Sequence, residues 1–266
     1  MIHTKPGTQR QLNISKYKPG STTSKSNSMK PLLTADWNNL MVVNYEIDPA
    51  ELKPYLPAGT EPDLWNNKCY ISLVAFQFSN PKIKEIPIPF YKSFEQINLR
   101  FHVRKVCNGE VRKGVVFIKE IATGNLLKAG AALLYNEHYT HLKTRHTITK
   151  QSNAIDIQYD WNLNKQWNYI HAVAEKDKTT PDPNTAIAFI ANRFWGYTNI
   201  SPDKTAKFRI EHEPWKIHGV KFCQVNCNIK KLYGETLHTF LSQAPAFTFM
   251  IDGSSVKVYN KKLCTN

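Results

Sequence analysis

The sequence predicts an α+β fold in which one sheet dominates and closes, wholly or in part, into a barrel carrying two or three helices. Three observations support this. Many short runs alternate apolar and polar residues in the two-residue rhythm of strands, while only one segment keeps a strong helical stripe. So many strands in an open sheet would also leave long unpaired edges, which closure hides. The chain has 266 residues, and barrels of roughly 200–250 residues form as one unit. Residues 31–266 are therefore read as a single domain, behind a basic tail of residues 1–30 that is expected to be flexible.

Trp37 to Tyr45 reads as the first strand. Asp48 as N-cap, Pro49 at the first helical position and Pro57 as a stop mark a short helix. Tyr70 to Phe78 gives a second strand, rich in β-branched and aromatic residues. Pro81, Pro87 and Pro89 then argue for a loop up to Tyr91. Phe94 to Lys105 alternates again, setting Glu95, Ile97 and Leu99 on one face and Arg100 on the other. Asn108-Gly109 is a hairpin signal, with the return strand from Gly114 to Ile118. Ala-rich Leu126 to Tyr135 is read as a helix, and Thr140 to Gln151 and Ala154 to Trp161 as strands. In Thr185 to Tyr197, the residues Ala186, Phe189, Ile190, Phe194 and Tyr197 keep helical spacing behind an Asn184 cap. Lys207 to His212 and Val220 to Leu232 read as strands, with a last pair, Phe247 to Met250 and Val256 to Tyr259, turning at Asp252-Gly253.

Of the formal net charge of +14, residues 1–30 supply 6 through Lys5, Arg10, Lys16, Lys18, Lys25 and Lys30, with no acidic residue among them. No zinc finger, RNP signature or basic amphipathic helix accompanies this charge, so no specific nucleic-acid role is expected. No apolar run reaches the roughly 18 residues of a membrane span and no secretory leader is visible. A cytoplasmic, non-membrane protein is the expectation. The five cysteines are an odd number, and Cys223 and Cys227 lack a second ligand pair, so neither disulfides nor a metal site is expected. His138, His141 and His146 near Glu137 show no helical metal motif. Gly-rich phosphate loops and a Gly-x-Ser-x-Gly elbow are absent too, and no cofactor is implied. Homo-oligomer formation is left open.

The order and spacing of several motifs say more than any one of them. Trp37-Asn38-Asn39-Leu40, the Asp48-Pro49 to Leu56-Pro57 helix, Tyr70-Ile71-Ser72-Leu73-Val74-Ala75-Phe76, Glu95-Gln96-Ile97-Asn98-Leu99-Arg100, Arg193-Phe194 and His212-Glu213-Pro214-Trp215 together resemble the DUF2071 (YqjF-like) family, from about residue 33 to 258. That family looks like a relative of the acetoacetate decarboxylase fold, so the resemblance implies a β-rich barrel or cone with a buried pocket. The decarboxylase acts through a lysine imine, a nucleophile made effective by an apolar pocket and a cationic neighbour. The equivalent place here is His138-Tyr139, where the family shows Pro-Tyr. Tyr139 cannot form an imine, so the resemblance implies acid–base chemistry or binding instead of Schiff-base decarboxylation, unless Lys128 or Lys143 takes the role.

The expected site follows. The resemblance implies a pocket glutamate on a Glu-x-x-x-x-Arg-like strand, which puts Glu95 and Arg100 forward; a buried Glu95 would have a raised pKa suited to acid–base work. The alternative is that Glu95 pairs with a basic side chain. Tyr139 and His141 share strand parity and could offer a phenol and an imidazole to one cavity, or simply satisfy structural hydrogen bonds. His212 and Trp215 are candidate ligand contacts, or a packed aromatic corner. Glu95 and Tyr139 are thus the catalytic candidates, with Arg100, His141, His212 and Trp215 as ligand contacts. The function expected is binding, or transformation, of a small organic acid or carbonyl compound. The alternative is an interaction protein whose basic tail meets an acidic partner.

Overall fold

A bulge at Asn39 decides which way the first strand faces. In the computed structural model, which describes residues 30–89, 92–107, 109–123 and 139–264, β1 (Leu33–Ile47) shifts register between Asn38 and Met41. Asn39 takes φ 53, a left-handed value that Asn tolerates better than most residues. The bulge inverts the alternation, so Trp37 and Leu40 both point to one side and Met41 and Val43 to the other. Opposite it, Gly253 has φ 101, and a Cβ there would lie 1.8 Å from the Trp37 carbonyl oxygen.

A 3₁₀ helix (Pro49–Tyr55) follows, with the Asp48 carboxylate accepting from the Ala50 N–H as the capping argument requires. Then come β2 (Glu61–Pro62), β3 (Cys69–Ile83), β4 (Ile86–Pro87), β5 (Ser93–Cys107), β6 (Glu110–Ala122), β7 (Tyr139–His141), β8 (Lys143–Lys150), β9 (Ala154–Leu163) and β10 (Gln166–Thr179). The second half holds α1 (Ala186–Ala191), β11 (Trp195–Ser201), β12 (Lys204–His212), β13 (Ile217–Asn226), α2 (Ile229–Tyr233), α3 (Glu235–Leu241), β14 (Phe247–Val258) and β15 (Lys262–Leu263).

Among the described residues, seven strands close a ring: β1, β3, β5, β6, β11, β12 and β14, with the β12–β14 pairing completing it. From β14 the sheet continues through β13, β10, β9 and β8. This wing lies over the outer face of the barrel. Between the two layers Met41, Ile71, Leu73, Ile97 and Leu99 pack with Ile157, Tyr159 and Trp161, and α2 and α3 add Leu232 and Leu237. The barrel interior is a second apolar cluster, including Trp37, Leu40, Val74, Phe76 and Phe78. No helix among the described residues is long and apolar enough to cross a membrane.

Four local expectations are corrected. Pro81 does not end β3, because it falls in a bulge where β3 shifts register against Thr34 and Asp36, and a proline is tolerated there. The helix expected over residues 185–197 stops at Ala191, capped at its start by Thr185 instead of Asn184. Beyond it, Phe194 and Tyr197 belong to an extended segment, and Gly196 lets the Phe208 ring approach where a Cβ would lie 2.1 Å away. Asp252-Gly253 is no turn: β14 runs straight through it. β13 ends at Asn226, and Asn228 then caps α2 through the Lys231 N–H. The helix expected over residues 126–135 lies outside the described residues.

Candidate functional site

β5 is buried on both faces over most of its length, so its alternation supplies side chains to two environments at once. Phe94, Gln96, Asn98, Arg100 and His102 are buried on the face opposite Ile97 and Leu99. Gln96, Asn98 and Arg100 line a cavity of about 100 Å³ inside the barrel. Its walls are apolar, with Trp37, Leu40, Val74, Phe76, Phe117 and Phe208 among them.

Three polar groups meet on one wall. β6 shifts register between Leu99 and Arg100, so Ile118 joins the outer core while Phe117 and Glu120 both reach the cavity. Glu120 is only 6% exposed. Its Oε1 accepts from Gln96 Nε2 at 2.7 Å and from the Tyr139 hydroxyl at 3.2 Å. The same Gln96 amide donates to the Tyr139 oxygen at 3.0 Å. Tyr139 reaches this point because β7 runs parallel to β6 and sets it beside Glu120. Burial, then the Glu120 charge, push the Tyr139 phenol well above its ordinary value, so it stays protonated and donates.

Arg100 forms the other pole. It is 8% exposed, its Nε has no partner among the described residues, and burial followed by the nearby Arg193 charge lowers its pKa to about 10. The guanidinium is still charged at neutral pH. Arg193 is paired with Asp63, which also lies 3.9 Å from Lys113; no carboxylate among the described residues is paired with Arg100. Between the poles, Asn98 Oδ1 is buried without a partner among the described residues. Lys261 also lines the cavity; burial lowers its pKa, against an opposing pull from Glu120.

The expected site is thus partly assembled. Arg100 and Tyr139 face one cavity. Glu95 faces away from it, into the layer between barrel and wing, where its carboxylate accepts from Thr144 Oγ1 and His146 Nδ1, both at 2.6 Å. Burial raises its pKa, but these hydrogen bonds outweigh that and bring it below the ordinary value, the reverse of what a general acid at neutral pH needs. His141 is exposed beside Ala122, the last residue of β6. His212 and Trp215 stack at 3.7 Å one layer behind the cavity, where Trp215 packs on Trp37 and donates to Ser254 Oγ. Lys143 is exposed on β8, and Lys128 and His138 lie outside the described residues.

Glu120, Gln96, Asn98 and Lys261 were missed. For Glu120 the signal was Ile118-Lys119-Glu120-Ile121, a carboxylate inside an apolar strand; Lys261 follows the last long strand and left none. Among the described residues, no group of three or more His, Cys, Asp or Glu side chains is placed to hold a metal ion.

Comparison with known proteins gives this geometry its context. The solved structure of acetoacetate decarboxylase from Legionella pneumophila superposes with a TM-score of 0.59 at 10% identity, covering 96% of this chain and 98% of that one. The enduracididine biosynthesis enzyme MppR complexed with pyruvate gives 0.58 at 11% identity, over 93% and 96%. An acetoacetate decarboxylase-like enzyme from Sphingomonas wittichii RW1 gives 0.59 at 12%, over 88% and 93%. The fold is therefore of the acetoacetate decarboxylase type. Among curated proteins, the uncharacterized protein YqjF of Bacillus subtilis is 22% identical over 210 residues, 77% of this chain and 83% of YqjF. The DUF2071 model, described as an uncharacterized conserved protein, matches residues 34–254, from the first strand of the ring into the last, and the chain belongs to that family.

Proposed function

We propose that the barrel binds a small organic acid, with Arg100 holding its carboxylate and the Gln96, Glu120 and Tyr139 cluster meeting its other polar end. The observation that carries this is the buried Arg100 with no carboxylate paired to it among the described residues. An unpaired buried charge is expensive, and a bound carboxylate would accept both arms of the guanidinium fork. Size supports a small ligand: the cavity of about 100 Å³ is less roomy than the ~150 Å³ that accepts benzene. MppR, a neighbour in fold, is known with pyruvate bound.

The cluster supports acid–base work on a carbonyl compound. The Tyr139 hydroxyl can donate to a carbonyl oxygen while Glu120 accepts a proton from the adjacent carbon. A second reading rests on Lys261, an amine of lowered pKa lining the same cavity, which could condense with a ketone. Borohydride reduction with pyruvate present separates the two: a covalent adduct on Lys261 selects the imine. All five cysteines are free, which supports a reducing, cytoplasmic setting.

Calorimetric titration with pyruvate, and then with a series of two- to five-carbon acids, tests the reading. Saturable binding is expected, weakened in Arg100→Met by about 2–5 kcal/mol, the range for losing one partner of a buried charge pair. The melting temperature of that variant should hold or rise, because an unpaired buried charge has gone. Unchanged affinity in Arg100→Met, or no binding across the series, overturns the proposal.

A further inference from the structure

Next to the barrel cavity lies a second, larger recess of about 550 Å³. Phe208 and Tyr259 line both it and the barrel cavity. Lys30, Arg112, Lys207, Arg209 and Lys262 surround it. Two carboxylates approach this group of cations from its margins: Glu110, 3.7 Å from Arg112, and Glu211, 2.9 Å from Arg209.

The backbone forces these charges together. Lys207 and Arg209 alternate on the outer face of β12. The antiparallel pairing with β15 sets Lys262 directly opposite Lys207, which gathers two like charges on one face at the edge of the recess. Lys207 has no carboxylate partner among the described residues. Aromatic faces complete the recess: the Arg112 guanidinium lies 5.0 Å from the Trp195 ring centre, and Tyr259 donates to Glu211 with its own ring beside Arg209.

We propose that this recess binds a small phosphate-bearing molecule, with the phosphate between Lys207, Lys262 and Arg209 and the organic part against the Trp195 and Tyr259 rings. Several cations around one recess suit a group that carries two negative charges and many acceptor oxygens. A compact recess suits a small ester better than a nucleic-acid strand, which needs a basic track. Because Phe208 and Tyr259 are shared, the organic part of such a ligand would stand beside the barrel cavity.

The probe is inorganic pyrophosphate, titrated calorimetrically into the full chain. Saturable binding is expected, weakened about ten-fold or more in Lys207→Gln combined with Lys262→Gln, a loss of about 1.4 kcal/mol or more. Separate titration of Arg112→Gln should also show weaker binding, and both variants should melt with wild-type cooperativity. Arg100→Met must leave pyrophosphate binding intact, so failure of the organic-acid reading and failure of this one are distinguishable. Absence of saturable heat, equal affinity in the Lys207 and Lys262 variant, or binding seen only with a single-stranded oligonucleotide overturns the proposal.

Discussion

The two faces of β5 both bury polar and charged groups, yet they do opposite things. On the outer face Glu95 is held by Thr144 and His146, and the His146 ring is held in turn by Gln77. That network is satisfied, and it fastens β8 to the barrel. On the inner face Arg100 Nε, Asn98 Oδ1 and His102 Nδ1 lack partners among the described residues, and two of those residues border a cavity. Buried polar groups in stable structures are normally paired. Unpaired groups beside an empty volume therefore point to a ligand, whereas a paired carboxylate in a filled layer points to architecture.

The largest test of this division is Leu99→Ala. Leu99 is fully buried in the outer layer, so the substitution should cost about 2–5 kcal/mol in urea unfolding. Affinity for pyruvate, per folded molecule, should not change. A parallel fall in affinity would show that the two faces are coupled through the strand.

How much of this was legible depended on what local sequence can encode. Strand positions were visible where one alternation held, as from Phe94 to Lys105, and from Trp37 to Tyr45 through β-branched and apolar composition even though a bulge interrupts the alternation. Which face was the pocket was not visible, because β5 carries polar or charged residues on both faces, Glu95 on one and Gln96, Asn98 and Arg100 on the other, and parity alone cannot say which layer encloses a cavity. Glu95 and Arg100 were correctly set on opposite faces, and the pocket was assigned to the wrong one. The bulges at Asn39 and at Ile118 each invert parity without a strong composition signal, and the second is what delivers Glu120. Tyr139 meets Glu120 through a parallel pairing between segments 19 residues apart, a long-range fact that no local window carries. In residues 185–197 the helical stripe was real, but tertiary packing of Gly196 on Phe208 overrode it.

A smaller effect follows from pH. His102 is fully buried beside the cavity-facing residues of β5. Burial first, then Arg193 and Arg100, hold it well below its ordinary 6.5. The unfolded chain takes up a proton there below about pH 6.5 and the folded chain does not. Its stability contribution is therefore complete above about 6.5 and falls as the pH drops, by about 1.4 kcal/mol per unit, until the folded value is reached. His212, lowered chiefly by burial, acts in the same direction. Urea midpoints measured from about pH 7.5 down to about pH 5, a window that spans the ~6.5 of an unperturbed histidine, should fall more steeply for wild type than for His102→Gln. Equal slopes would remove His102 as the acid-sensitive group of the inner face.

Glu95→Gln should have the smallest effect and separates the two faces most directly. The glutamine keeps the shape and can still accept from His146 while the Thr144 hydroxyl turns to accept from the new amide. What is lost is charge assistance in two hydrogen bonds, about 1 kcal/mol. Because the folded carboxyl titrates below its ordinary 4.5, this contribution is full above that value and disappears as the pH falls through the folded one, so wild type and variant should converge in stability in acid. Pyruvate affinity should be untouched at neutral pH. A clear loss of affinity without loss of stability would mean that Glu95 communicates with the cavity through Gln77 and Asn39, whose amides are bonded at 2.7 Å, and that the satisfied face of the strand also serves the ligand.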